Sequence, residues 1–282
     1  MASDTQKIPM QPPQIPLWRA TLALQLSSLV HVFCLAVAVI FPHLWPWALG
    51  IFLLNHLGLT IGVMQPRSRL LGPNMTRLPA AAIQRSEVVL TFDDGPDPQI
   101  TPQVLDLLDQ YSATASFFCI ASKVAAYPAL TQEIIRRGHS VENHTHHHPH
   151  AFALFGPSAL QREIDTAQRT IQAVTGVAPV FFRAPMGFRN PLLAPIVQRA
   201  GLHYATWTRR GYDTFATDPE PVLKRLQRGL AAGDILLLHD GRSTQLNGDS
   251  SIILQVLPRL LEQLKKLHLK PVSLSAACGY MM

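Results

Sequence analysis

Charge is scarce in this chain. Asp, Glu, Lys and Arg together make up 15% of the 282 residues, against 48% hydrophobic residues, which is apolar for a purely soluble protein. Cysteine is scarcer still. Cys34, Cys119 and Cys278 are an odd count with no CxxC spacing, which excludes a disulfide framework and fits a reducing compartment. Cys119 lies in the apolar run Ser116-Phe117-Phe118-Cys119-Ile120 and reads as a buried, inert thiol. There is no internal repeat and no low-complexity segment. The small charge inventory is lopsided, with a formal net charge of +6, which suits an anionic partner such as a membrane surface or a phosphate-bearing substrate. The basic residues form only short pairs (Arg209-Arg210, Lys224-Arg225, Lys265-Lys266) that read as solvated faces, so nucleic acid is not an expected partner.

Two stretches have no Asp, Glu, Lys or Arg at all: Thr21 to Phe41, and Trp45 to Met64. Each is about twenty residues, long enough to cross a ~30 Å hydrocarbon core as a helix. Only Pro42-His43-Leu44 separates them, and Trp18, Trp45 and Trp47 lie at their ends, where amphipathic rings favour the headgroup region. A pair of soluble helices is the competing reading, since Gln25, His31, Asn55 and His56 interrupt the apolarity; a signal peptide would have a shorter apolar core and no second stretch. The expectation is a two-helix membrane hairpin over residues 18–66, after a proline-rich, disordered tail over 1–17. Lys7 and Arg19 precede the first span, Arg67, Arg69 and Arg77 follow the second, and the connecting turn has neither Lys nor Arg. The basic flanks therefore predict a two-pass protein of the inner or plasma membrane with the remainder of the chain cytoplasmic. Insertion of only one span would reverse that side.

Residues 67–85, with Gly72-Pro73-Asn74, read as a linker, and residues 86–282 as one catalytic domain. Strand-like runs (Glu87–Phe92, Ala115–Ile120, Val180–Phe182, His203–Trp207, Ile235–His239, Pro271–Leu274) alternate with helix-like ones (Thr101–Tyr111, Leu130–Arg137, Ser158–Val174, Pro191–Ala200, Glu220–Ala232, Ile252–Lys266). That alternation predicts an α/β fold of parallel strands with crossover helices, closed as a barrel or open as a sheet. Reactive groups are then expected at the carboxyl ends of strands.

Chemistry-bearing residues cluster at those ends. Asp93-Asp94 follow the first strand before Gly95-Pro96 turns the chain away; a turn of this composition is also plain turn chemistry. Two close carboxylates make sense where one binds a cation and the other takes a proton. In Asn143-His144-Thr145-His146-His147-His148-Pro149-His150, His144 and His148 are spaced i, i+4, which on one helical turn would aim two imidazoles at a common point. Zinc (Zn2+) or a similar borderline divalent metal is the expected guest, with positions left open for water and substrate. His146, His147 and His150 default to supporting or surface roles. Arg183, in Phe181-Phe182-Arg183-Ala184-Pro185-Met186-Gly187, could form a structural salt bridge or orient Asp93. His239, closing Ile235-Leu236-Leu237-Leu238, could be structural or catalytic. All six follow strand candidates, in the order one barrel mouth would collect them.

At these residues the sequence resembles the polysaccharide deacetylase family (the NodB-homology domain, carbohydrate esterase family 4). Thr91-Phe92-Asp93-Asp94-Gly95-Pro96 matches its first motif and Asn143 to Pro149 its second; Phe182 to Gly187 looks like the third, and Ile235 to Asp240 like the fifth. The resemblance spans about Ser86 to the carboxyl end. It implies a distorted (β/α) barrel of the NodB-homology type, with Asp94, His144 and His148 as metal ligands, Asp93 as general base, Arg183 as its orienting partner and His239 as general acid. Leu237 would line a pocket for the acyl methyl, and Pro185, Met186 and Gly187 the substrate wall. Two departures stand out. Met186 occupies a position commonly held by Tyr, and the fourth motif is only loosely visible in Trp207 to Asp213, where Asp213 could tune His239.

The implied reaction is hydrolysis of an N-acetyl group from an amino sugar. A cytoplasmic, membrane-anchored domain would meet a lipid-linked glycan; formyl in place of acetyl is an alternative. An outward-facing deacetylase of chitin-like or peptidoglycan chains, and a sugar-binding pseudoenzyme, are the competing readings, the last disfavoured because base, acid and ligand residues are all present.

Overall fold

The computed structural model describes residues 18–241 and 251–280; the amino-terminal tail lies outside them. Two long helices come first, α1 (Leu22–Ile40) and α2 (Trp45–Val63), joined by the 3-10 turn Pro42–Leu44. Thr21 caps α1, its hydroxyl accepting from the Leu24 N–H at 3.3 Å. The helices pack against one another, and three of the polar residues that break their apolarity, His31, Asn55 and His56, meet across this contact, while Gln25 is exposed and donates to Ala20 O. Asn55 Nδ2 donates to Ser27 Oγ at 2.9 Å, and His31 stacks edge-on against Phe52 and His56. Their outer faces expose Leu29, Phe33, Leu54 and Leu57. Both helices are long and apolar enough to cross a membrane.

The remainder is an α/β unit. In chain order it contains α3 (Ala80–Gln84), β1 (Glu87–Asp93), α4 (Thr101–Gln110), β2 (Ser116–Cys119), α5 (Ala121–Ala126), α6 (Pro128–Arg136), β3 (Ser140–Asn143) and α7 (Pro157–Thr175). There follow β4 (Phe181–Phe182), α8 (Leu193–Arg199), β5 (His203–Tyr204), β6 (Arg209–Arg210), α9 (Pro219–Gln227), β7 (Ile235–His239), α10 (Ile252–Lys266), β8 (Lys270–Pro271) and α11 (Leu274–Ala277). The sheet order is β5-β4-β3-β2-β1-β7-β6, with β8 beside the start of β1, and every pairing is parallel. The sheet curls into a half-barrel rather than a regular closed (β/α) barrel. β5 and β6 are not paired to each other; both lie on the segment 203–210, which pairs first with β4 and then crosses to β7.

The seam is filled by residues expected to be a linker. Met75 bridges Ala205 in parallel, Leu78 N–H donates to Gly233 O at 2.9 Å, and Leu71, Leu78 and Ala82 are buried. Buried apolar side chains and paired backbone make this segment part of the α/β unit, which linker composition alone did not reveal. A second expectation fails at the carboxyl end. Pro271–Leu274 reads as a strand, but β8 covers Lys270–Pro271, with Val272 N–H still donating to Val88 O at 2.9 Å, and Ser273 then accepts from Ala276 N–H and starts α11.

Strand alternation sorts the side chains. On β1, Val88, Leu90 and Phe92 pack outward with Val104, Leu105 and Leu108 of α4 and Leu257 and Leu260 of α10. Val89 faces inward with Phe118, Phe181 and Ile235, so the same face carries Thr91 and Asp93. On β7, Leu236 and Leu238 join the outer core, which turns Leu237 and His239 inward. The β1–β7 register sets Thr91 beside Leu237 and Asp93 beside His239. Two strands with the same period and this register thus deliver a carboxylate and an imidazole side by side at their carboxyl ends.

Candidate active site

Asp93 is the last residue of β1, and Asp94 follows with a left-handed backbone (φ 72°). That reversal is what brings two adjacent side chains to one mouth, which an extended strand would send to opposite faces. Both are buried. Asp94 Oδ1 lies 3.4 Å from His144 Nε2 and 3.1 Å from His148 Nε2. One donor atom from each of the three residues lies within 4.8 Å of the others, and all three are buried.

The histidines do not reach this point from a helix. Residues 144–148 form a loop after β3, with left-handed turns at Thr145 (φ 68°) and His148 (φ 55°). Local polar groups replace helical bonding: Thr145 N–H donates to Asn143 Oδ1 at 3.0 Å, His148 N–H to Thr145 Oγ1 at 3.0 Å. Glu163 Oε2 accepts the backbone N–H groups of His146 and His147 at 3.0 and 2.9 Å. The i, i+4 spacing therefore converges through a side-chain-stapled loop, and the helical geometry inferred from spacing is corrected. His147 pairs with Glu163 near the surface, and His150 lines the cleft.

His144 Nδ1 lies 2.8 Å from the Arg183 carbonyl. A carbonyl only accepts, so Nδ1 carries the proton and the Nε2 lone pair points at the Asp94 cluster. Burial pushes the Asp94 carboxyl up; without a metal, a proton on the facing Nε2 atoms of His144 and His148 outweighs it and holds the group well below the usual carboxylate range, and that Nε2 proton is what a bound metal would displace. A buried carboxylate kept ionised beside two imidazole nitrogens, one with its tautomer set, is a donor set that fits a divalent metal.

Arg183 is fully buried beneath this cluster. Nη1 donates to Asp93 Oδ1 at 2.5 Å and to Thr91 Oγ1 at 2.9 Å, while Nε and Nη2 bond the carbonyls of Ala205 and Thr206. The Phe118 ring lies 4.0 Å from its guanidinium carbon. Its side chain thus holds Asp93 while its carbonyl holds His144.

Opposite, His239 closes β7. Asp213 grips it twice: Oδ1 lies 2.9 Å from His239 Nδ1, and Oδ2 accepts the His239 backbone N–H at 2.8 Å. Burial would lower the imidazole, but Asp213, with Asp93 and Asp94 further off, pushes it up to about 9. Its Nε2 is left for other work. Leu237 lines the same cleft, and the Pro185–Gly187 turn forms a wall, with Met186 (φ 56°) half exposed over it. Gly187 takes φ 76° and has no room for a side chain, since a Cβ would sit 2.5 Å from the Trp207 ring. The cleft measures about 470 Å³.

Three supporting residues escaped sequence reasoning. Lys123 Nζ donates to the Asp94 carbonyl at 2.7 Å, tying α5 to the β1 turn, and nothing in the local sequence marks it. Trp207 and Arg210 line the cleft; they lie inside the loosely matched fourth motif, where only Asp213 was singled out.

The model of the polysaccharide deacetylase family matches residues 81–205. A peptidoglycan-N-acetylglucosamine deacetylase of Bacillus cereus is 33% identical over 195 residues, 68% of this chain and 88% of the relative. The chain belongs to the polysaccharide deacetylase family. A chitooligosaccharide deacetylase of Azorhizobium caulinodans is 33% identical over 158 residues, covering 56% of this chain and 75% of that protein. Among solved structures, a peptidoglycan N-acetylglucosamine deacetylase superposes with a TM-score of 0.66 at 24% identity, over 74% of this chain and 94% of its own; that likeness carries the deacetylase fold. The match begins within α3, so the deacetylase family's own region includes part of the seam-filling segment.

Proposed function

We propose that this chain is a metal-dependent hydrolase that removes an N-acetyl group from an amino sugar carried on a membrane-associated, lipid-linked glycan. The observation that supports it most is the convergence of Asp94, His144 and His148 beside an Arg-held Asp93, with His239 across the cleft. Asp94, His144 and His148 would hold a divalent metal, for which two imidazoles and one carboxylate favour zinc. When bound, the ion supplies Lewis acidity and a fixed charge at the reacting centre.

Asp93, one oxygen occupied by Arg183, takes a proton from the attacking water with the other. The Met186 backbone N–H, in its left-handed turn at the cleft wall, stabilises the developing oxyanion, a role any residue at that position can fill. His239, protonated through Asp213, donates from Nε2 to the departing amine, which an amide needs because an amide anion leaves poorly. Leu237 excludes water around the acyl methyl. The products are an amino sugar and acetate.

Asp93→Asn tests the base. It preserves the shape of the Arg183 contact, so metal content should stay while kcat falls on the order of 10²–10⁴-fold in an amine-release assay on N-acetylated oligosaccharides. An unchanged rate would refute the assignment.

The lipid-linked part rests on α1 and α2 and on the basic flanks Arg19, Arg67, Arg69 and Arg77, which favour a cytoplasmic catalytic unit. A reporter fused at the carboxyl terminus should be active only on the cytoplasmic side. An external reporter would turn the reading towards chitin-like or peptidoglycan chains.

A further inference from the structure

Basic residues that form only short pairs along the sequence meet in three dimensions. Beside the cleft lies a second pocket of about 620 Å³, lined by Arg67, Arg209, Arg210, Arg225 and Arg228. Met64 and Pro66, at the exit of α2, form its other side. Phe188, Trp207, Arg210 and Tyr212 line both pockets, so the two cavities adjoin across these side chains. No Asp or Glu lines this second pocket among the described residues.

Arg209 is neutralised by Asp234 at 2.5 Å. The other four arginines have no ion pair with a carboxylate among the described residues. Backbone carbonyls steady two of them instead: Arg67 donates to Thr208 O at 3.1 Å, and Arg225 to Gly211 O at 3.2 Å. Arg210 is held between aromatic faces, 5.3 Å from the Trp207 ring and 4.8 Å from the Tyr212 ring, and its Nε is buried without an acceptor. Four uncompensated guanidiniums converging on one concavity, one with an unsatisfied buried donor, call for an anion with several acceptor oxygens. Arginine's planar fork suits phosphate better than any neutral sugar hydroxyl.

We propose that this arginine pocket is a second binding site, which takes the phosphate ester on the reducing end of the amino-sugar substrate. The inference rests on the deacetylase reading of the adjoining cleft. With the acylated nitrogen at the Asp94 cluster, the anomeric end extends past Trp207 and Arg210, where a phosphate or diphosphate enters the arginines. Two sources carry this chemistry, a prenyl-phosphate-linked sugar and a nucleoside-diphosphate sugar; the exit of α2 at the rim favours the first.

The test uses the full chain in lipid nanodiscs and three substrates: farnesyl-phosphate-linked N-acetylglucosamine, uridine-diphosphate N-acetylglucosamine and a neutral chitotetraose. The readout is kcat/KM for each phosphate-bearing substrate relative to the neutral one. In Arg225→Gln and in Arg228→Gln that ratio should fall roughly 10- to 100-fold, as loss of a charge-assisted contact requires. The loss should appear chiefly in KM, and Arg228→Lys should recover part of it. A fall confined to the prenyl substrate assigns the lipid source, and one confined to the nucleotide sugar assigns the soluble source. A ratio unchanged by both substitutions, with the neutral substrate still turned over, overturns the phosphate site and leaves the deacetylase reading standing. Separately, calorimetric binding of farnesyl phosphate that is lost in Arg228→Gln would support the site even if no substrate releases amine, and in that case the deacetylase reading alone fails.

Discussion

Replacing Asp213 by Asn should move the pH dependence of turnover without disturbing the proposed metal site. Asp213 accepts both the ring Nδ1–H and the backbone N–H of His239, and with burial opposing it this carboxylate is the main reason the imidazole stands near 9 rather than at the ordinary 6.5. Asn keeps the shape. Its oxygen can take only one of the two donors, and its NH₂ then faces the other nitrogen, which favours neutral imidazole. With a value near 9, about nine-tenths of the acid is protonated at pH 8; at 6.5 only about 3% is. The basic limb of the kcat/KM profile should therefore drop from about 9 towards 6.5 or below. At pH 8 kcat/KM should fall roughly 30-fold, while at pH 6 the loss should be only a few-fold. Stability carries the same signature. A histidine raised in the folded state contributes fully below its unfolded value and loses that contribution as pH rises through about 9. Asp213→Asn should remove roughly 3 kcal/mol of that contribution at pH 6, with little change at pH 10. A basic limb that stays near 9 in Asp213→Asn would refute His239 as the acid held protonated by this carboxylate.

Asp94→Asn or His148→Ala should abolish bound metal and amine release together, measured by elemental analysis of the purified protein alongside the rate; full metal content with no activity would contradict the ligand set. Gly241→Ala tests how closely the β1 and β7 turns must approach. A Cβ there would fall 1.9 Å from the Asp94 carbonyl, so the turns must separate. Thermal unfolding should show a loss of about 1–3 kcal/mol, with activity reduced as well.

Much of this arrangement was legible in the chain because it depends on local rules. Alternating apolar runs ending in Asp93-Asp94, Phe182-Arg183 and Leu238-His239 predicted parallel strands with their chemistry at the carboxyl ends, and the pairing of β1 with β7 agrees. The charge-free stretches before residue 64 predicted two long apolar helices, now α1 and α2. Period-two and period-3.6 patterns report on neighbours within a few residues, and those elements needed nothing more.

What only the tertiary structure decided involves partners far apart in sequence. Met75 reaches the seam beside Ala205 although its segment reads as a linker, because the unpaired edge of the curled sheet needs backbone donors and acceptors. The turn that aims His144 and His148 depends on Glu163, and the state of His239 depends on Asp213, twenty-six residues earlier. Arg210 and Arg225 read as halves of solvated basic pairs and Arg67 as a flank of the second span, until the crossing of segment 203–210 to β7 gathers them with Arg228 beside the cleft. Composition counts charges; whether they repel, pair or converge on one anion is set by distances that only folding creates.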